Sequence, residues 1–200
     1  MRRIALILLA MPVALLSLNL GDIVAASDNL KSVEMTLRAE NHTGKRVSVV
    51  ELKFWFKRPD MMRLEYTYPR SMKGSIIAVD GKYFYSYIPS LNRKVKKKLG
   101  NSSKNPGKDM GFLYEFVKGD LKSSLKDALI TVEGEEKIGK MKAIKVKIKR
   151  GDEMQMVWLE KETLFPVAVE IYRSGKLRIK LEVKDFKINP EIDDSFFSLF

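Results

Sequence analysis

The sequence predicts a mainly β protein: one continuous antiparallel sheet of about eleven strands, with a small helical element against it. Three observations carry this expectation. Apolar residues recur at every second position through most of the chain, the period of strands with one dry and one wet face. Short turn signals separate those runs, as a meander requires. One stretch, residues 112–129, changes to helical spacing.

The chain opens on a segment that reads as a leader. Met1-Arg2-Arg3 is basic, and Ile4 to Leu18 is apolar but short for a membrane span. Val24-Ala25-Ala26 resembles a cleavage site. The expected organisation is a signal peptide over 1–26 and a single domain over 27–200. An uncleaved N-terminal anchor is the other reading. No cysteine stands near the cleavage point, so a lipid-modified cysteine is not expected.

The strands follow in order. Val33, Met35, Leu37 and Ala39 share one face, as do Leu52, Phe54 and Phe56. In the run from Lys142 to Lys149, Ile144, Val146 and Ile148 point one way and Lys145, Lys147 and Lys149 the other. Met154, Met156 and Trp158 come next, with Val157 and Leu159 opposite. Val167, Val169 and Ile171, then Leu177, Ile179, Leu181 and Val183, continue the pattern. Turns are expected at 41–44, Arg58-Pro59-Asp60, Asp80-Gly81, 89–92, Gly139-Lys140, Gly151-Asp152 and Ser174-Gly175. Asp80-Gly81 between two apolar runs is a strong two-residue hairpin signal. Residues 100–110 read as a loop. Phe112 to Leu129 then reads as one or two short helices with Leu121, Leu125, Ala128 and Leu129 on one side. That segment is too small to cover eleven strands, so the sheet curls strongly or leaves part of its concave face open.

Composition narrows the function classes. With no cysteine there is no thiolate chemistry, and a single histidine, His42 in a turn-like context, cannot build the usual zinc sites. No phosphate loop or nucleophile motif is present, and the paired acids Asp152-Glu153 and Asp193-Asp194 sit at turns. No enzyme, cofactor or metal is expected. The net charge of +12 suits an anionic surface, although a Lys- and Glu-rich chain with a single glutamine also resembles thermophile usage. Arg93, Lys94, Lys96, Lys97 and Lys98 form the sharpest basic run. Charged on both faces, it belongs on an edge or projecting hairpin. It serves either to dock to a membrane or partner or to protect the edge with lysines. Nucleic acid is not expected, because the aromatics alternate along strands and export removes that partner. Ten methionines suit either an adaptable apolar pocket or ordinary gap filling.

The stretch "KFWFKRPDMMRLEYTYP", followed by "IIAVDGK" and "YIP", resembles the LolA-like outer-membrane lipoprotein carriers, as do "VWLEKETLFPVAVEIY" and "INPEIDDSFFSL" near the C-terminus. The resemblance spans most of the chain after the leader. It implies a curved, incomplete antiparallel β-barrel with a helical lid over an apolar cavity. It also implies a periplasmic carrier that moves acyl chains of lipoproteins or other lipids between envelope membranes without covalent chemistry. The partners implied are an acylated ligand and handover proteins at the inner and outer membranes, with the carrier a monomer. Some relatives act instead as sensor or binding modules for a protein partner.

The lid-tethering arginine of the family falls on Arg58, and Met62 stands where its best-known member has an aromatic. The lipid-lining candidates are Leu52, Phe54, Phe56, Arg58, Met62, Leu64, Tyr66, Ile77, Val79, Ile144, Val146 and Ile148. The family's helix before the first strand is expected to be missing here, because only a few residues separate Ser27 from Val33. Physically, an acyl chain of about fifteen methylenes costs roughly 12 kcal/mol to expose to water, so a carrier must offer a comparable apolar surface.

Overall fold

Strand-period sequence meets the predicted turns closely enough that each apolar run becomes one strand. The computed structural model describes residues 18–100 and 107–200. Residues 1–17, which hold the basic start and most of the apolar leader run, lie outside the described residues, as does part of the expected 100–110 loop.

The strands are β1 (Ser32–Thr43), β2 (Arg46–Lys57), β3 (Met61–Tyr68), β4 (Ile76–Asp80), β5 (Tyr83–Ile88), β6 (Arg93–Lys98), β7 (Leu129–Ile138), β8 (Met141–Arg150), β9 (Glu153–Glu160), β10 (Pro166–Arg173) and β11 (Lys176–Ile188). They form one eleven-stranded sheet in the order β6-β5-β4-β3-β2-β1-β11-β10-β9-β8-β7. Two meanders therefore stand back to back, joined where β1 pairs antiparallel with β11. Among the described residues β6 and β7 are the two ends of the sheet, so the curved sheet does not close into a barrel.

Register fixes which side chains share the concave face. Met35 faces Phe54, which faces Leu64, which faces Ile77. On the other wing Val146 faces Val157, which faces Val169, which faces Leu181. A one-residue slip would send every one of these to water. Phe54, Val157 and Val169 are fully buried, and the two wings belong to one continuous core.

Three helices lie against that face: α1 (Leu20–Asp28), α2 (Phe112–Lys118) and α3 (Leu121–Ser124). Ile23, Phe112, Leu113, Phe116, Val117 and Leu121 all bury their side chains in the core. Ring contacts tie helices to sheet, with Tyr114 edge-on to Phe56 at 6.2 Å and Phe116 edge-on to Phe165 at 5.7 Å. The concave face is thus occupied by the protein's own helical side chains.

Three expectations change. A helix does precede the first strand. Asn19 caps α1 by accepting from the Gly21 amide, while Asp22 reaches back to the Asn19 amide, a capping box that satisfies donors otherwise left open. Leu129 does not continue the α3 face; it starts β7 and is exposed. His42 lies in β1 opposite Val47, because the first hairpin runs out to Thr43 and Arg46 before it turns.

Candidate functional site

The apolar residues of the candidate lining point into the core in both wings. Leu52, Phe54, Phe56, Met62, Leu64, Val79, Ile144, Val146 and Ile148 are all buried in the single core, and Tyr66 and Ile77 pack against it half-buried. Burial raises the Tyr66 hydroxyl above its ordinary pKa, as an apolar setting disfavours the phenolate. Helix side chains cover this surface, so anything else that binds it must displace them.

Arg58 is the one charged member of the set, and its place follows from chain geometry. β2 ends at Lys57, and Arg58-Pro59-Asp60 turns the chain into β3 at the rim where α1 and α2 both finish. The guanidinium donates from Nε to the Val117 carbonyl at 3.1 Å and from Nη2 to the Phe116 carbonyl at 3.4 Å. It also donates from Nη1 to the Asp28 carbonyl at 3.1 Å and from Nη2 to the Ser27 carbonyl at 2.6 Å. Helix C-termini carry unpaired carbonyls and partial negative charge. One cation therefore closes two helix ends at once. Burial pulls the Arg58 pKa down, and Asp28 and Asp120 push it back; the group stays charged. Ser27, fully buried, adds a direct tie between the helices by donating from Oγ to the Phe116 carbonyl at 2.7 Å.

Gly119 makes the approach possible. It ends α2 in the left-handed region at φ +87, and a Cβ there would sit 2.8 Å from Arg58 Cζ. We expect Gly119→Ala to destabilise the protein by about 1–2 kcal/mol from the backbone alone. It should also raise amide exchange across α2, because the guanidinium must move. Chemical denaturation with hydrogen exchange checks both; unchanged exchange in α2 would remove Gly119 from the latch.

The other end of α2 rests on Gln155. This side chain points inward among Ile148 and Ile171, its register partners, and is 3 % exposed. Its Oε1 accepts from the Phe112 amide at 2.9 Å, and its Nε2 donates to Glu153 Oε1 at 3.0 Å. Gly111 precedes the helix at φ +54, where a Cβ would meet Gln155 Oε1 at 2.7 Å. α2 is thus held at its start by Gln155 and at its end by Arg58. Sequence reasoning did not single out Gln155; the available signal was a polar residue at an inward position, in phase with Val157 and Leu159.

The Arg58 rim opens on a groove of about 1180 Å³ whose lining includes Asp28, Lys31, Lys57, Arg58, Asn189 and Glu191. Asn189 braces it, accepting on Oδ1 from the Lys31 and Ser32 amides. Beyond Asn189 the chain crosses to the convex face. Lys57 pairs with Asp194, the Phe196 ring stands edge-on to Trp55 at 5.1 Å, and Arg63 lies 4.5 Å over Phe196. Asp193 accepts from the Ser195 amide, a local cap. Both acids of that pair have structural partners.

The basic run occupies β6, an end strand as expected. Lys94 lies 5.5 Å from the Phe200 ring, and Lys96 lies over both Tyr83 and Tyr85 at 4.7 and 5.1 Å. Arg93, Lys97 and Lys98 are exposed.

No protein-family model matches the sequence, and no curated protein matches it. Solved structures do match the fold. An uncharacterized conserved protein from Thermus thermophilus aligns over 90% of this chain and 93% of its own, at 14% identity and TM-score 0.58. The MucA/MucB complex of Pseudomonas aeruginosa aligns over 90% of this chain but only 59% of the matched chain, at 12% identity and TM-score 0.54. The Mycobacterium tuberculosis lipoprotein LppX aligns over 86% of this chain and 94% of its own, at 14% identity and TM-score 0.52. At these identities the likeness is one of fold: a mainly β, unclosed antiparallel sheet wrapped around short helices.

Proposed function

We propose that this protein is an exported carrier that shelters acyl chains of lipoproteins or other lipids on its concave face and passes them between envelope membranes. The observation that carries the reading is a large one-faced apolar sheet covered by three short helices, two of which end on one arginine. The helix side chains stand in for cargo: they keep the surface dry when empty and can be exchanged for methylenes of similar burial. The exchange needs no covalent step, and each side of it buries comparable apolar area, so loading and release can both be near balance. Export to the periplasm, expected from the leader-like start, fits such a role, since an acyl chain needs shelter only in water.

Native mass spectrometry of protein purified from a bacterial envelope tests this. We expect added masses of acylated molecules, removed by detergent washing. A spectrum of bare chain alone, together with no uptake of a fluorescent fatty-acid probe, would overturn the carrier reading.

A second reading, a binding module for a protein partner, is favoured by the β7 end of the sheet. Leu129 and Val132 are exposed there, and the outer edge of β7, which has no neighbouring strand among the described residues, invites an added strand. A stoichiometric protein complex, recovered with the concave face still filled by the helices, would favour that reading.

A further inference from the structure

We infer that Gln155 selects the cargo, favouring an acyl chain joined through an amide N–H over one joined through an ester oxygen. This rests on the carrier reading, which requires α2 to leave the concave face. With α2 docked, the Gln155 carbonyl oxygen is satisfied by the Phe112 amide at 2.9 Å, and its amide nitrogen by Glu153 at 3.0 Å. Glu153 is an acceptor, so the Nε2 side of Gln155 is the one fixed on it. When α2 lifts, the group that loses its partner is therefore the acceptor, Oε1.

Gln155 is 3 % exposed, and its register partners Ile148 and Ile171 are both buried and apolar. An unpaired buried acceptor is expensive to leave. The ligand that replaces α2 is best matched when it brings back a donor. Phe112 itself shows the fitting shape, a backbone N–H directly beside a large apolar side chain that is 1 % exposed. An N-acyl group offers the same pair, an amide N–H at the head of a hydrocarbon chain. An O-acyl ester has only acceptors and leaves the Gln155 oxygen unpaired against them. Sites built around a hydrogen bond discriminate more sharply than apolar pockets do, since the analogue lacking the group strands the protein's own polar atom.

The test uses an isosteric pair of probes: N-palmitoylglycine methyl ester, and the analogue in which the amide N–H is replaced by oxygen. Affinities are measured by displacement of a fluorescent fatty acid from the full-length protein. The wild type should prefer the amide about fivefold or more, a hydrogen bond's worth. Gln155→Leu and the near-isosteric Gln155→Met should bind both probes with equal affinity. Both variants should also hold α2 less firmly, which moves both affinities together and leaves the ratio as the diagnostic. If the wild type binds both probes alike, or if both variants keep the preference, the assignment to Gln155 fails while the carrier reading stands. If the wild type binds neither probe, the carrier reading fails and this inference with it. Should one variant not fold, the other decides.

Discussion

Replacing Arg58 with leucine is expected to tighten cargo binding by roughly thirtyfold and to lower the share of cargo passed to acceptor vesicles at equilibrium, with a modest loss of stability. The four carbonyls that Arg58 closes belong to the C-terminal ends of α1 and α2. Hydrogen bonds to a charged group are worth about 1.5–3 kcal/mol each in favourable settings. The Asp28 bond is exposed and the Phe116 bond long, so the net loss is put at about 2 kcal/mol. The closed form competes with cargo for one apolar surface. Weakening closure therefore raises the fraction of protein able to bind, and the apparent affinity follows that fraction. The sheet's own packing does not depend on the guanidinium, so the loss should lower Tm by less than about 10 °C.

Fluorescent-probe titration and transfer to acceptor vesicles measure the two halves of this effect. A variant that loses its cooperative unfolding instead of gaining affinity would make Arg58 a folding residue and nothing more. Arg58→Lys is a useful companion. It keeps the charge but not the planar fork that reaches two helix ends together, so it should fall between wild type and leucine.

The contrast between what the sequence displayed and what it hid follows from the kind of signal each feature leaves. A one-sided sheet writes its burial at every second residue, so the strands and their phase could be read off Phe54 and Phe56 or off Ile144, Val146 and Ile148 without knowing the partner strand. The latch left no periodic trace. Arg58 lies in a turn, a place where a basic residue usually means solvent, and only the family-like pattern around Lys57-Arg58-Pro59 marked it. The helix α1 was hidden for a different reason. Small residues such as Ala25 and Ala26 suit a leader peptidase and suit a helix packed closely against its neighbours, so the same letters served both readings. Gln155 was hidden by chemistry: a lone glutamine on a strand looks like a surface residue until a helix amide is found on it. Leu129 fitted the helical spacing after Leu125, yet β7 had already begun, because its pairing with Lys149 in β8 outweighs the local pattern.

The second large effect concerns where the mature chain starts. A protein beginning at Ser27 is expected to unfold at a Tm at least about 10 °C below one beginning at Leu18, and to bind a hydrophobic dye that the longer form excludes. The shorter form lacks Ile23, whose side chain is 2 % exposed in the core, and also Val24 and Ala26, which pack against it. Removing a fully buried aliphatic side chain alone costs about 2–5 kcal/mol. The capping box of Asn19 and Asp22 goes with it, so Ser27 and Asp28 no longer end a helix. Arg58 would keep its bonds to the α2 carbonyls but lose an ordered partner on the α1 side, leaving the lid held on one helix. If the chain is cut, the packing of α1 predicts a cut upstream of Asn19. N-terminal sequencing and intact mass of the protein recovered from its own envelope give the answer directly. A natural N-terminus at Ser27, in a protein as stable as the longer form, would show that α1 is dispensable and that the Arg58 latch acts on α2 alone.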